Sequence, residues 1–383
     1  VTGPDILLLS AAHPPDDLRV VVKEGAALAA AGWQVTHLAP HRDGAPAALA
    51  GVGISTFTRR AGWLGRILGI PALARRAASS GAAVLHASEP DAWLAALLAA
   101  RWRKCLVVID VHEHYPSRLD TRLPAAMRPV ARAILRAGCR WAGAAADAVV
   151  VAKDGLAQDF AAPTRTVVVR NYAPAVILPP RDHRGGPVTL VHSGAMGRSR
   201  GWPQLLDALP LSPAGTRLRL IGRFTDGSEP EFTARVRALG LTDRIECLPW
   251  LPHAEAFARL AEGDIALVLF QPGEENHRLA LPHKLFDAML AGLPVIAPGF
   301  AEEVAAIIGS AGCGVLIDTA APAEIAAAVA SLADPARRAA LGGAGRRAAE
   351  QRYAWAPEAA RLVRLYDGLL RQADRRRDAA TTP

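Results

Sequence analysis

The chain has 383 residues, enough for two domains with separate cores, and carries 44 basic against 36 acidic side chains, a net charge of +8. Hydrophobic residues make up 51 %, yet no apolar run approaches the roughly 18 residues that a membrane-spanning helix needs. The basic excess is spread out and the aromatics are few and unordered, which argues against a nucleic-acid module.

In chain order, Asp5-Ile6-Leu7-Leu8-Leu9-Ser10 reads as a first strand with no basic leader. No signal peptide is expected, and a cytoplasmic location is the default. Strands follow near 34–39, 53–57, 82–88, 104–111, 147–152 and 166–170, with helical patterns near 17–31, 63–79, 91–101, 123–145 and 153–160. A proline-rich stretch, 173–187, then interrupts the rhythm and reads as a linker. Alternation restarts at Val188-Thr189-Leu190-Val191-His192-Ser193, with further strands near 217–221, 244–248, 264–270, 294–297 and 314–317. Residues 322–374 read as helical, ending in the basic segment Arg375-Arg376-Arg377. This pattern predicts two doubly wound α/β domains with parallel sheets and an interdomain cleft, with ligands beyond the carboxyl ends of the strands. Cys105, Cys139, Cys247 and Cys313 are scattered without a C-x-x-C pair, so buried free thiols are expected rather than disulfides or structural zinc.

Several stretches carry chemistry. The loop after the first strand, Ser10-Ala11-Ala12-His13-Pro14-Pro15-Asp16-Asp17, lacks glycine, which disfavours a nicotinamide-binding Rossmann enzyme. Gly197-Arg198-Ser199-Arg200-Gly201 matches G-x-S-x-G, yet Ser199 lies several residues past the expected strand end. A nucleophile elbow needs it directly on that turn. The alternative is a glycine-bearing loop that brings backbone N–H groups and Arg200 to a diphosphate. His112-Glu113-His114 follows an apolar strand. It reads as a metal pair, as structural histidines at a strand end, or as polar groups at the cleft mouth. Arg128, Arg132, Arg136 and Arg140 form a basic stripe on one helix, and Arg59 to Leu68 mixes arginine with apolar residues. Both suit either a solvated face or contact with an anionic membrane. Glu274 and Glu275, ahead of the next helix, are candidates for sugar hydroxyls or for solvation.

The most specific stretch runs from Ala280 to Ile296. Pro282 opens a helix, and Gly292 and Pro294 end it before a buried strand. Lys284 and Asp287 are three residues apart on one face of its first turns, where free N–H groups favour an anion. Together these suit a phosphate with a ribose beside it.

Taken together, these segments resemble the retaining, metal-independent nucleotide-sugar glycosyltransferases of family 4, which have the GT-B fold. The likeness rests on Asp17 to Thr36, on Asp110-Val111-His112-Glu113-His114-Tyr115-Pro116, on Gly194 to Gly201, and above all on Leu281 to Asp287 followed by Ala291 to Ile296. It implies an acceptor-binding Rossmann-like domain at 1–172 and a donor domain at 188–355, with a C-terminal helix near 356–375 packing back on the first. It implies a sugar moved from a nucleoside diphosphate to a hydroxyl of a glycan, lipid-linked or natural-product acceptor, with no cofactor, no metal and no nucleic-acid partner. A peripheral place at the inner membrane face is compatible with it.

By the same resemblance, His112, Arg200 and Lys284 are the catalytic set. Donor contacts fall on Gly194, Ala195, Gly197, Arg200, Arg223, Trp250, Leu251, Leu281, Pro282, Lys284, Leu285 and Asp287. Sugar contacts fall on Glu274, Glu275 and Leu279; acceptor contacts fall on His13, Arg19, His112, Glu113 and His114. The family usually carries two acids separated by seven residues; here the first position is Leu279 and the second is Asp287, one methylene shorter than the usual glutamate. Ala195 stands where many members have arginine. Leu279 leaves a catalytically silent binding subunit as the alternative class, with a serine hydrolase at Ser199 behind it.

Overall fold

The structure is a computed structural model that describes residues 5–174, 179 and 181–381, with side chains described through residue 371. Part of the proline-rich stretch and the side chains of Arg375, Arg376 and Arg377 therefore lie outside the described residues. The chain divides into two compact units, Val1–Asn171 with Trp355–Pro383, and Tyr172–Ala354.

Unit 1 holds β1 (Ile6–Leu9), β2 (Val35–Pro40), β3 (Ala48–Leu49), β4 (Val52–Phe57), β5 (Val84–Ala87), β6 (Leu106–Val111), β7 (Ala148–Val151) and β8 (Thr166–Val168). They form one sheet in the order β3-β4-β2-β1-β5-β6-β7-β8. Side chains alternate across it, as strand geometry requires. Ile6 and Leu8 of β1, with Leu106 and Val108 of β6, enter one core, which Leu362, Tyr366 and Leu369 of the helix Trp355–Thr381 complete. Leu7, Leu9, Val107 and Ile109 enter the other, beneath Trp93 and Cys139. Both faces are covered, which is why these strands read as continuous apolar runs.

Unit 2 holds β9 (Thr189–Met196), β10 (Arg217–Phe224), β11 (Ile245–Leu248), β12 (Ile265–Leu267), β13 (Val295–Pro298) and β14 (Gly314–Ile317). The order is β11-β10-β9-β12-β13-β14. Among the described residues, every strand pairing in both sheets is parallel except β3 with β4. Leu190 and Val191, adjacent in β9, enter opposite cores.

Three departures from the sequence reading have local causes. The helix expected over 17–31 opens as a wide π turn, Leu18–Gly25, and becomes α-helical only over Ala26–Ala30. Asp17 caps its start, accepting from the N–H groups of Arg19 and Val20 at 2.9 and 3.0 Å. The strand expected to stop at Ser193 runs on to Met196, because β10 continues opposite it as far as Phe224. Cys247 is exposed, since β11 is an edge strand, whereas Cys139 and Cys313 are buried as expected and Cys105 is half-buried. No described helix is long and apolar enough to cross a membrane.

Candidate functional site

In unit 2 the carboxyl end of β9 and the helix His283–Leu290 bring a buried amine against backbone. Gly194 and Gly222 pair across β9 and β10. Both have positive φ, 101° and 145°, which only glycine adopts without strain. A Cβ on Gly222 would stand 2.0 Å from the Gly194 carbonyl oxygen, and one on Gly194 would stand 3.5 Å from Lys284 Nζ. Glycine at 222 is needed for the two strands to pass this closely, and the Lys284 amine packs against the Gly194 backbone at ordinary contact distance.

Lys284 Nζ lies 3.1 Å from His192 Nε2. The same Nε2 lies 3.1 Å from the Ala195 carbonyl oxygen. One nitrogen cannot both donate to the carbonyl and accept from the amine. Whichever tautomer is present, a buried polar group is left short of a partner, and His192 Nδ1 is buried with none at all. Burial, and then the Arg200 charge, push the Lys284 ammonium well below its usual range. Burial, and then Lys284, do the same to His192. Both are basic groups buried without enough negative charge beside them to hold their protons at the usual strength.

Arg200 comes from the short 3-10 turn Arg198–Arg200 that follows β9. Its guanidinium packs over Phe270, 5.7 Å from the ring centroid. Burial lowers its pKa against the opposing pull of Glu274 and Asp226. Among the described residues it makes no hydrogen bond or ion pair. Its neighbour Arg198 differs, being tied to Asp226 and Glu231. Of two arginines alike in sequence, carboxylates pair with Arg198, whereas the Arg200 guanidinium has no ion pair among the described residues. The helix His283–Leu290 begins at Pro282 with no side-chain cap, so its first N–H groups are uncapped by side chains too.

Asp287, on the same helix, is buried and already engaged: its carboxylate accepts from His283 Nδ1 at 3.0 Å and from His253 Nε2 at 3.3 Å. Burial alone would raise its pKa, but those two hydrogen bonds outweigh burial and hold it well below the carboxylate range. Trp250 is exposed and carries Arg223 over its ring at 5.1 Å. Glu274 lies 3.7 Å from His277 and close enough to Arg200 to act on it. Ala195 belongs to β9, and a Cβ on Gly197 would meet the Asp226 carboxylate at 2.9 Å. Pro282 and Leu281 are half-buried, and Leu251 packs beside the core.

Glu275, Leu285, Leu279 and Ser199 are engaged, covered or out of place for the side-chain roles weighed for them. Glu275 opens the short helix Glu275–Arg278 and is paired with Arg278, which also pairs with Glu302. Leu285 and Leu279 are buried apolar side chains, so any contact they make to a polar ligand comes from backbone. Ser199 sits three residues past the end of β9, and no histidine bonds its hydroxyl among the described residues. The nucleophile-elbow geometry is absent there.

In unit 1, Arg19 and His112 join one polar network. His112, directly after β6, places Nε2 against Asp110 Oδ2. That contact holds the proton on Nε2 and leaves Nδ1 as an acceptor in the neutral ring. Asp110 Oδ1 takes a 3.0 Å bond from Arg19, which also reaches Glu24 at 2.8 Å and the Val169 carbonyl at 3.0 Å. His86 closes the network, 3.3 Å from Glu24 and 2.5 Å from the Tyr366 hydroxyl. The acceptor role expected of Arg19 is corrected: the residue is buried and holds Asp110, which holds His112. His13 is likewise committed, with Nδ1 3.0 Å from Asp17 and Nε2 3.4 Å from Glu89. Glu89 also receives the N–H groups of Ala11, Ala12 and His13. His114 is buried against Ser117 and Asp159, facing partners other than those of His112, so the two imidazoles form no metal pair. Glu113 is exposed and pairs with Arg118.

The network carries a pH dependence. Burial would lower His86, but the hydrogen bonds it donates to Asp110 and Glu24 raise it from 6.5 to about 9; His13 is raised to about 9 against burial by Asp17 and then Glu89. A histidine raised on folding contributes stability that is complete below its unfolded pKa and disappears as pH rises through its folded one. Unit 1 is therefore expected to lose stability as pH climbs from 6.5 through about 9. Thermal melts of the wild type across that interval, against a His86→Gln variant with a flatter profile, check it.

Three of the four arginines of the basic stripe are engaged, and Arg140 is exposed. Arg132 binds Asp120, Arg136 binds Asp159 at 2.7 Å, and Arg128 donates to the Leu123 carbonyl at 3.1 Å. The exposed face of the helix Arg128–Ala145 mixes these arginines with large apolar side chains, Val130, Ile134 and Trp141.

Two parallel-sheet α/β units of this kind are the architecture of the GT-B fold. Residues 19–172 match the model of Glycosyltransferase Family 4, and residues 187–334 that of Glycosyl transferases group 1. With both halves matched, the chain belongs to the family 4 glycosyltransferases. No curated protein matches it significantly. Among solved structures, it is similar to Anabaena Alr3699/HepE in complex with UDP-glucose, at 17 % identity and a TM-score of 0.71, over 95 % of this chain and 100 % of that one. Sucrose-phosphate synthase from Thermosynechococcus elongatus is similar at 19 % identity and a TM-score of 0.68, over 96 % and 100 %. A glycosyltransferase from Rickettsia africae follows at 13 % and 0.67, over 95 % and 98 %.

His192 and His253 escaped the sequence reading. A histidine inside an apolar strand carries no motif, and His253 reaches Asp287 only through folding. The one available signal was position: His192 lies two residues before Gly194 on the strand that leads into the glycine stretch.

Proposed function

We propose that the protein transfers a sugar from a nucleoside-diphosphate sugar to an acceptor hydroxyl with retention of anomeric configuration. The observation that carries this reading is a pair of basic side chains without a carboxylate ion pair among the described residues, Lys284 and Arg200, beside the Gly194 backbone and an uncapped helix start. Sugar transfer demands stabilisation of negative charge on the departing diphosphate, and preorganised donors in a water-poor site supply it. In this scheme the two cations do the work that a metal ion does elsewhere, so no metal or cofactor takes part.

The remaining donor groups follow from chemistry. Trp250 with Arg223 offers a stacking platform for the base, and Asp287 takes the ribose hydroxyls in place of one of its histidine bonds. Glu274, the acid left available near Arg200, binds sugar hydroxyls where Leu279 cannot. The departing phosphate oxygen accepts the proton of the attacking acceptor hydroxyl, so no protein nucleophile is required. Unit 1 receives the acceptor, with His112 presenting Nδ1 and Asp110 fixing its ring. UDP-glucose is the first donor to try, since the similar Anabaena protein binds it.

Thermal shifts with UDP, GDP, ADP and TDP identify the nucleotide by mass action. Turnover of the matching sugar nucleotide, followed as diphosphate release, with the product anomer read by NMR, tests the rest. Inversion of the anomer contradicts the mechanism. Binding without any turnover leaves the silent binding subunit that Leu279 suggested, and no binding of any nucleotide rejects the reading.

A further inference from the structure

The grouping of His253, His283 and Asp287 is more than a pair of hydrogen bonds. Each offers one ligand atom, and the three atoms lie within 4.8 Å of one another. Asp287 Oδ2 stands 3.0 Å from His283 Nδ1 and 3.3 Å from His253 Nε2. Around a tetrahedral zinc ion with bonds of about 2.0–2.1 Å, neighbouring ligand atoms are about 3.3–3.4 Å apart. The donor spacing already present is close to that edge length.

The supports are of the kind that metal ligands have. His283 and Asp287 are i, i+4 on one helix, whose Leu285, Phe286 and Ala288 are fully buried and fix its position. His253 opens the helix His253–Ala261 and its ring stacks on Phe257 at 6.1 Å, which sets the direction of Nε2. The carboxylate is 8 % exposed and the two imidazoles 27 % and 40 %, so an ion held by all three keeps a side toward solvent. Two imidazoles with one carboxylate suit zinc, cobalt or nickel better than magnesium or calcium, which favour all-oxygen cages.

We propose that His253, His283 and Asp287 bind a divalent transition-metal cation of the zinc class, and that the bound ion competes with the nucleotide. The ion occupies the same Asp287 carboxylate that the donor reading assigns to the ribose, so metal and nucleotide exclude each other. The competition rests on that reading; the metal site does not. It is a regulatory site, in which free metal sets how much protein can take donor.

Metal-stripped full-length protein titrated with zinc by calorimetry, and with cobalt by visible absorption, tests it. One equivalent of zinc and the absorption bands of low-symmetry cobalt are expected. Both are lost in His253→Ala and in His283→Ala, whose partly exposed positions let circular dichroism verify that the fold is kept. Metal binding unchanged in both variants, or absent from the wild type, overturns the site. Titrating UDP with and without zinc separates the two claims. A UDP affinity that falls in proportion to free zinc in the wild type, but not in His253→Ala, supports competition. Tight UDP binding to zinc-loaded protein overturns competition, whereas failure of UDP to bind the chelator-treated protein counts against the donor reading alone.

Discussion

Replacing Arg19 by leucine is expected to destabilise unit 1 by about 3–5 kcal/mol, the range for a buried ion pair that loses one partner. Arg19 is the cation shared by two carboxylates, Glu24 and Asp110, both fully buried. Without it two negative charges stay in the core, since leucine supplies bulk and neither charge nor hydrogen bonds. His86 offsets part of the loss while it is protonated, that is, below about 9. The penalty is thus expected to grow with pH, and denaturant titrations at neutral and alkaline pH check both its size and its trend. A second consequence is local. Asp110 loses the bond that orients it, so His112 loosens, and turnover is expected to fall more than donor affinity, because the donor groups lie in unit 2.

The second large effect has opposite signs on stability and on binding. In the unliganded protein Lys284 is a buried amine beside Arg200, pushed well below its usual pKa by burial and then by that neighbour. A lysine depressed on folding costs stability wherever the unfolded chain would hold its proton, and the cost fades as pH approaches the unfolded value of 10.5. Lys284→Met keeps the length and removes the charge. The variant is expected to melt higher than the wild type at neutral pH, with the gap closing toward alkaline pH. Its affinity for the nucleoside diphosphate is expected to fall by about 1.5–3 kcal/mol, the value of a charge-assisted hydrogen bond. Stability given up for function is the usual mark of a binding group. A lysine with a merely structural role would lose stability on replacement.

Much of this architecture can be read before folding, for a simple reason. Strands covered on both faces are written as short apolar runs, and β1, β6, β7 and β9 announce themselves in that way. The hairpin of β3 and β4 does not. Its turn is Ala50-Gly51, both at positive φ, and alanine gives no warning of a left-handed turn. The helix with Lys284 and Asp287 is legible because proline and glycine punctuate it. The partners of those two residues are not, since His192 is 92 positions from Lys284 and His253 is 34 from Asp287. Spacing also cannot tell a spent cation from a free one. Arg198 and Arg200 flank the same serine, yet a carboxylate pair claims the first alone. Arg19 likewise reads as an acceptor contact until the π turn and β6 bury it against Asp110.

Calorimetric titration of the best-bound nucleoside diphosphate into the wild type and into Lys284→Met tests the central claim most directly. The account predicts a single site in the wild type and a loss of about tenfold to a hundredfold in the variant, in line with the free energy above. Equal affinity in the two proteins would contradict it, because the diphosphate would then be held by something other than this buried amine.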